Sequence, residues 1–206
     1  MRPSIAALDH LVLATPDIAA TAAWVAERTG IQPTAGGQHL GKGTRNMLCS
    51  LSATSYLEIV GPDPEQPDPA GSRPFGVDDL TSAAMVAWAI AVPNMDAALE
   101  TARRAGYDPG EAAPMQRRRP DNVLLRWTLT LAPSTAVPFL IDWDDSPHPA
   151  VTAAHGLEIA DLRARHPRPH DLGSTLQALG VTMGILAGPE ALVVELHGPM
   201  GSITFD

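Results

Sequence analysis

The stretch Leu8-Asp9-His10-Leu11-Val12-Leu13-Ala14-Thr15-Pro16-Asp17 reads as a short apolar strand running into a helix start. Thr15 would cap that helix, Pro16 suits its first position, and Asp17 favours its positive end. Ile18, Ala22 and Val25 recur at helical spacing, and Gly30 is placed to stop the helix. Strand-like segments follow at 38–40, 45–51 and 56–60, each bounded by Gly, Ser or Pro turn signals. The order is β-α-β-β-β.

That order starts again downstream. Segment 85–92 is followed by Pro93-Asn94-Met95, a helical pattern through Ala97, Leu99 and Ala102, and a stop at Gly106. Pro93 falls on Pro16 at an offset of 93 − 16 = 77, and the stop glycines then agree within one residue, which reads as an internal repeat. Later strands of this copy are expected at 123–131 and 137–143. After Ser146-Pro147-His148-Pro149, a third copy is expected, with strands at 157–162, 181–186, 192–196 and 202–205 and a helix at 171–179. The expected organisation is a first unit at 1–62, a Pro-rich linker at 63–83, a second unit at 84–145, and a third, partial unit at 155–206 packed on the others.

Composition bounds the function. The 206 residues include 20 Pro and 17 Gly, and a 45 % hydrophobic share is ample for a packed core. With 14 Lys and Arg against 23 Asp and Glu, the net charge of −9 repels phosphate backbones and anionic membranes, so neither nucleic acid nor membrane is an expected partner. The single cysteine, Cys49, excludes an intramolecular disulfide framework and fits a reducing cytoplasm. Asp9-His10 interrupts the apolar run from Ile5 before a signal-peptide core can form, and the uncharged stretch around 172–189 is too rich in Gly to span a membrane. Nucleophile-elbow, phosphate-loop and His-Glu-x-x-His patterns are all missing from the sequence.

The opening strand with Asp9-His10, the Pro16-Asp17 helix and the closing Tyr56-Leu57-Glu58-Ile59-Val60 together resemble the vicinal oxygen chelate superfamily. Gly36-Gly37-Gln38-His39 with Gly43-Thr44-Arg45-Asn46, and Pro138-Phe139-Leu140-Ile141-Asp142-Trp143 with His148-Pro149, are similar to its glyoxalase-like domain branch. The resemblance runs from about Leu8 to Pro149. It implies an α+β fold of repeated βαβββ units, a curved, cup-shaped mixed sheet with helices on the convex side, and a small ligand held in the cup. It also implies that His10 and Glu58 face into the cup, as metal ligands or as an acid/base pair. Imidazole and carboxylate suit a divalent Zn, Ni, Fe or Mn ion. The second unit departs from the pattern, since His10 falls on Ala87 and Glu58 on Ile141, so half of the ligand set is missing. His39, His155 and Glu158 are the substitutes the sequence offers.

Four further residues are candidates for holding the ligand. His39 sits among glycines that can turn backbone N–H groups toward an anion, or in an ordinary hairpin. Arg117-Arg118-Arg119-Pro120 is either a solvated loop or a carboxylate clamp at the rim, with Arg119 as the member expected to point inward. Asn46 belongs to the family-like stretch, and Trp127, like Trp143, lines a pocket or packs in the core. The expected function is a glyoxalase-like protein binding a small carbonyl- or carboxylate-bearing molecule, with isomerase or lyase chemistry at Glu58 and His10. The alternative is a binder that sequesters its ligand without chemistry. Superfamily members often pair units between chains, which would make a homodimer, whereas a third unit here would cover that edge.

Overall fold

The computed structural model describes residues 8–104, 106–131 and 134–206; residues 1–7, read above for an export signal, lie outside them. Strand β1 (Leu8–Ala14) leads to α1 (Ile18–Thr29), β2 (Thr34–His39), β3 (Thr44–Ser52) and β4 (Ser55–Pro62). Strand β5 (Ala84–Ala91) leads likewise to α2 (Met95–Arg104), β6 (Ala112–Arg118), β7 (Leu124–Thr130) and β8 (Phe139–Asp142). Hydrogen bonding runs β1-β4-β3-β2-β6-β7-β8-β5 and returns to β1, so the curved sheet closes into a barrel. The fold is α+β, with α1 packed on β4 and β3, and α2 on β8, outside the barrel.

Alternation along β1 explains why this strand reads as one apolar run. Leu11 and Leu13 point outward into the core shared with α1, while Val12 and Ala14 join the apolar lining of the barrel beside His10. On β4, Leu57 and Ile59 point outward, and Tyr56, Glu58 and Val60 inward. The cap of α1 is Asp17, not Thr15: its carboxylate accepts from the Ala20 amide at 3.0 Å, while the Thr15 hydroxyl bonds Thr21 at 2.7 Å. Gly30 ends the helix at φ 78°. Cys49 is buried on β3, and burial pushes its thiol up to about 12, leaving it protonated and inert.

The strand that sequence reading misses is β6. Its outward residues Pro114, Gln116 and Arg118 are exposed, so Ala-Ala-Pro-Met-Gln-Arg-Arg carries no apolar run, yet Met115 and Arg117 face inward. β6 closes the barrel by a short ladder, Gln38 opposite Arg118 and His39 opposite Arg117. The close approach needs Gly37, whose φ is 141° and where a Cβ would collide with the Arg118 carbonyl. Gly36 is needed for a similar reason, against the Asn46 side chain. These glycines therefore seat strands rather than form an anion cradle.

The chain ends with β9 (Glu158–His166), α3 (Pro169–Ala178), β10 (Gly184–Ala187), β11 (Ala191–Gly198) and β12 (Gly201–Phe205). Element order repeats a third time, but pairing does not. The sheet runs β10-β9-β11-β12, with β9 parallel to the strand that follows its helix, whereas β1 and β5 lie parallel to the last strand of their units. Leu162, Leu192, Leu196 and Ile203 of this sheet share one core with Leu11, Leu57, Val25 and Trp88, so it covers the outside of the barrel. Helix α3 opens two residues earlier than expected because Pro169 takes the first helical position. No helix among the described residues is long and apolar enough to cross a membrane.

Candidate functional site

β1 and β4 run in parallel with His10 opposite Tyr56 and Val12 opposite Glu58, a register that sends both His10 and Glu58 into the lumen. There His10 Nε2 lies 3.7 Å from Glu58 Oε2. The imidazole stacks on Tyr56 at 4.7 Å between ring centres and meets the edge of Phe139 at 5.3 Å. From the next strand Asn46 reaches the same carboxylate, its Nδ2 donating to Glu58 Oε1 at 2.5 Å. His39 Nε2 is 3.2 Å from that amide nitrogen and 3.5 Å from Glu58 Oε1. The structure thus brings three sequence candidates, His10, His39 and Asn46, around the carboxylate of a fourth, Glu58.

Protonation follows from the partners. Asp9, fully buried, takes His10 Nδ1 at 2.6 Å, Trp143 Nε1 at 2.8 Å and His148 Nε2 at 3.0 Å. Burial alone would raise the Asp9 carboxyl, but the hydrogen bonds and charges of His10 and His148 outweigh it and hold Asp9 at about 2. An ionised Asp9 fixes the Nδ1 proton of His10, which leaves Nε2 facing Glu58 on the lumen side. Burial, opposed by Glu58 and reinforced by the charges of Arg117 and His10, pulls His39 down to about 4. His39 is therefore a neutral ring at pH 7, donating from Nδ1 to the Thr44 hydroxyl at 3.0 Å and accepting from Asn46 at Nε2. Burial, with the charges of Asp9 and Glu58, keeps the Tyr56 phenol protonated far above its ordinary range.

Arg117, not Arg119, is the arginine inside. Only 2 % exposed, it lines the lumen with His10, Tyr56 and Glu58, and its Nε has no hydrogen-bond partner. Burial pulls its pKa down, with Tyr56 and Glu58 pulling the other way, and the guanidinium stays charged. Arg119 shares the inward parity of Arg117, but β6 ends at Arg118. It sits in the hairpin turn, where its amide donates to Val123 and its side chain pairs with Asp121 at 2.7 Å. Trp127 does line the lumen, with its Nε1 buried and unpartnered, and Trp143 stands against it at 5.0 Å. Phe75, Met115, Leu129, Phe139 and Ile141 complete an apolar wall around a cavity of ≈ 90 Å³.

Sequence reading missed Asp9, His148, Tyr56 and Arg117. Asp9 adjoins a candidate histidine, and Arg117 lies two residues before the arginine that was favoured, so both carried a signal. The Asp9–His148 contact joins residues 139 apart and carried none.

A resident divalent ion does not fit this donor set. Ala89 lies opposite Phe139 and Ala91 opposite Ile141, as His10 lies opposite Tyr56 and Val12 opposite Glu58. The second-unit places are therefore Ala89, two residues beyond the Ala87 that the helix offset indicated, and Ile141; neither binds metal. His39 Nε2 is occupied by Asn46, His155 is exposed, and Glu158 lies exposed on β9 in the other sheet. Among the described residues no group of three or more His, Cys, Asp or Glu side chains could hold one ion.

Comparison with known proteins agrees with this architecture. A family model described as a glyoxalase-like domain matches residues 8–180. A hypothetical protein from Staphylococcus aureus superposes with a TM-score of 0.56 at 14 % identity, over 96 % of this chain and 84 % of that one. A triple mutant of 4-hydroxymandelate synthase from Streptomyces coelicolor superposes with a TM-score of 0.50 at 12 % identity, over 100 % of this chain and 63 % of that one. Methylmalonyl-CoA epimerase from Mycobacterium tuberculosis gives 0.46 at 17 % identity, over 72 % and 93 %. A search of curated proteins finds no match. With the family model spanning most of its length, the chain belongs to the glyoxalase-like domain family of the vicinal oxygen chelate superfamily.

Proposed function

We propose that the barrel lumen binds a small carbonyl compound and moves a proton on the carbon beside the carbonyl, with Glu58 as base and His10 as its acid partner. The observation that carries this reading is the line Asp9–His10–Glu58. Asp9 holds one imidazole nitrogen at 2.6 Å, and the other faces the carboxylate at 3.7 Å with lumen beside it. Glu58 Oε2 takes the C–H proton, the bond's electron pair forms the enolate double bond, and His10 Nε2 supplies a proton to the carbonyl oxygen. Glu58 then returns its proton to carbon while His10 Nε2 takes an enol O–H proton back, which restores both groups; delivery to the neighbouring, former carbonyl carbon of an enediol completes an isomerisation. Asn46 holds the other carboxylate oxygen and so fixes which one reacts. Tyr56, Phe139 and the tryptophans exclude water from the enolate.

The test is solvent deuterium incorporation into 2-oxobutanoate, hydroxyacetone and the methylglyoxal–thiol hemithioacetal, followed by proton NMR. Catalysed exchange in at least one is expected, reduced about 10²- to 10⁴-fold by Glu58→Gln. Exchange that survives Glu58→Gln at full rate removes Glu58 from the reaction. The apolar second-unit wall, Ala89 and Ile141, favours one rival reading, a binder without chemistry; tight ligand binding with no exchange in any compound would establish it.

A further inference from the structure

We infer that Arg117 is an anion anchor, and that the ligand of this lumen is a compact monocarboxylate with an apolar remainder. The inference deepens the proposed function and rests on the same lumen, but it stands on different atoms. The described chain has few buried polar atoms without a partner: Arg117 Nε, Trp127 Nε1 and Asn46 Oδ1. Asn46 Oδ1 is turned toward Gly36 in the barrel wall. The two that belong to lumen-lining residues are both donors, and one carries a full charge. A guanidinium 2 % exposed with no carboxylate within ion-pair distance is costly, and a carboxylate supplied from outside offsets that cost with paired N–H···O bonds.

Charge sets the class of anion. Arg117 is the one buried arginine among the described residues, and Glu58 shares its lumen, so a second negative charge on the ligand would face that carboxylate with only Lys42, which borders the same lumen from an exposed position, to meet it. A monocarboxylate fits and a phosphate dianion does not. Arg117 also borders a second cavity of ≈ 180 Å³, with Thr34 and Leu48 of the same sheet face as Glu58 and with Arg119 and Asp121. The carboxylate there, Asp121, is already taken by Arg119. Phe75, Leu129, Phe139 and Ile141 leave the rest of the lumen suited to a short hydrocarbon skeleton.

Butyrate, butyramide and methylphosphonate are the probes, read by calorimetry and by tryptophan fluorescence, since Trp127 borders only the lumen side of Arg117. Butyrate is expected to bind and to change that fluorescence, with butyramide and methylphosphonate weaker by roughly 10- to 100-fold. Arg117→Met should abolish butyrate binding and, because it removes a buried charge without a partner, should raise Tm in the absence of ligand. Arg117→Lys should retain part of the affinity. Equal binding of butyrate and butyramide, or full butyrate binding by a folded Arg117→Met protein, overturns the inference. So does a lowered Tm for Arg117→Met, which would mean that the guanidinium is structural. Glu58→Gln keeps or tightens butyrate binding, so loss of exchange with retained binding separates failure of the base from failure of the anchor.

Discussion

Along β1 and β4 the inner face of the barrel carries His10, Tyr56 and Glu58, tied to Asp9, Asn46 and His39, whereas β5 and β8 put Ala89, Phe139 and Ile141 at the matching places. The β1–β4 half is a hydrogen-bonded polar network, and the β5–β8 half is an apolar wall. Two units of the same element order thus present a polar face and an apolar face to one lumen. The second unit's charged group in the lumen comes from β6, whose Arg117 lines the same cavity as Glu58. The asymmetry is the ground for the proposed acid/base reading over a metal cage: the donors cluster on one side and are consumed by each other.

Restoring symmetry breaks the comparison most severely. Ala89 is the Cα partner of His10 across the β1–β5 ladder, so Ala89→His with Ile141→Glu places two further donors at the matching positions. The double variant is expected to take up one Ni or Zn ion more tightly than the wild type by over about 100-fold, the cost that even an outer-shell partner carries at a metal site. Calorimetric titration with the metal and analysis of the purified protein check this. Tight stoichiometric metal on the wild type would show that the first unit holds an ion by itself.

The same contrast explains what could be read from sequence. β1, α1 and β4 announce themselves through continuous apolar runs, a Thr-Pro-Asp helix start and a Gly stop, because both faces of those strands are buried. β6 does not, since its outward face is Pro114, Gln116 and Arg118 and only period two through Ala113, Met115 and Arg117 marks its inward one. The third segment shows the limit of element order, which fixes helices and strands but not whether β9 pairs with the second or the last strand of its unit. In the site, His10 and Glu58 are legible through the resemblance of their two strands to the family pattern, and the parallel β1–β4 register puts both on one face. The Pro120-Asp121-Asn122 turn singles out Arg119 in the sequence, but β6 ends at Arg118 and Asp121 in that same turn takes the Arg119 guanidinium.

Titration sharpens the comparison next, because the polar half holds the groups that sense pH. His39 binds its proton near 4 in the folded protein and near 6.5 when unfolded, so between these values the unfolded chain holds more protons and acid favours unfolding. Stability present above pH 6.5 is lost as pH falls through 4, by about 3 kcal/mol if no other group compensates. Urea denaturation of His39→Gln across this window should give a flatter profile than the wild type, and an unchanged slope would place the effect elsewhere. Asp9 acts in the following window. With about 2 folded against 3.8 unfolded, its contribution is intact above pH 3.8 and disappears toward 2, by about 2 kcal/mol. Asp9→Asn should forfeit it, while Trp143→Phe, which removes one donor, should forfeit a part.

The smallest expected effect is the one that distinguishes neighbouring arginines. Arg119 differs from Arg117 by two positions and shares its parity, yet its guanidinium is held by Asp121 in a partly exposed turn. Pairs of that kind contribute about 0.2–1 kcal/mol, so Arg119→Ala should shift the urea midpoint only slightly. Its effect on butyrate affinity should stay within about 2-fold, because the lumen is lined by Arg117 and not by Arg119. Should Arg119→Ala weaken butyrate as much as Arg117→Met does, the anion would lie in the second cavity that both arginines border, and Arg117 would serve that cavity rather than the aromatic-walled lumen.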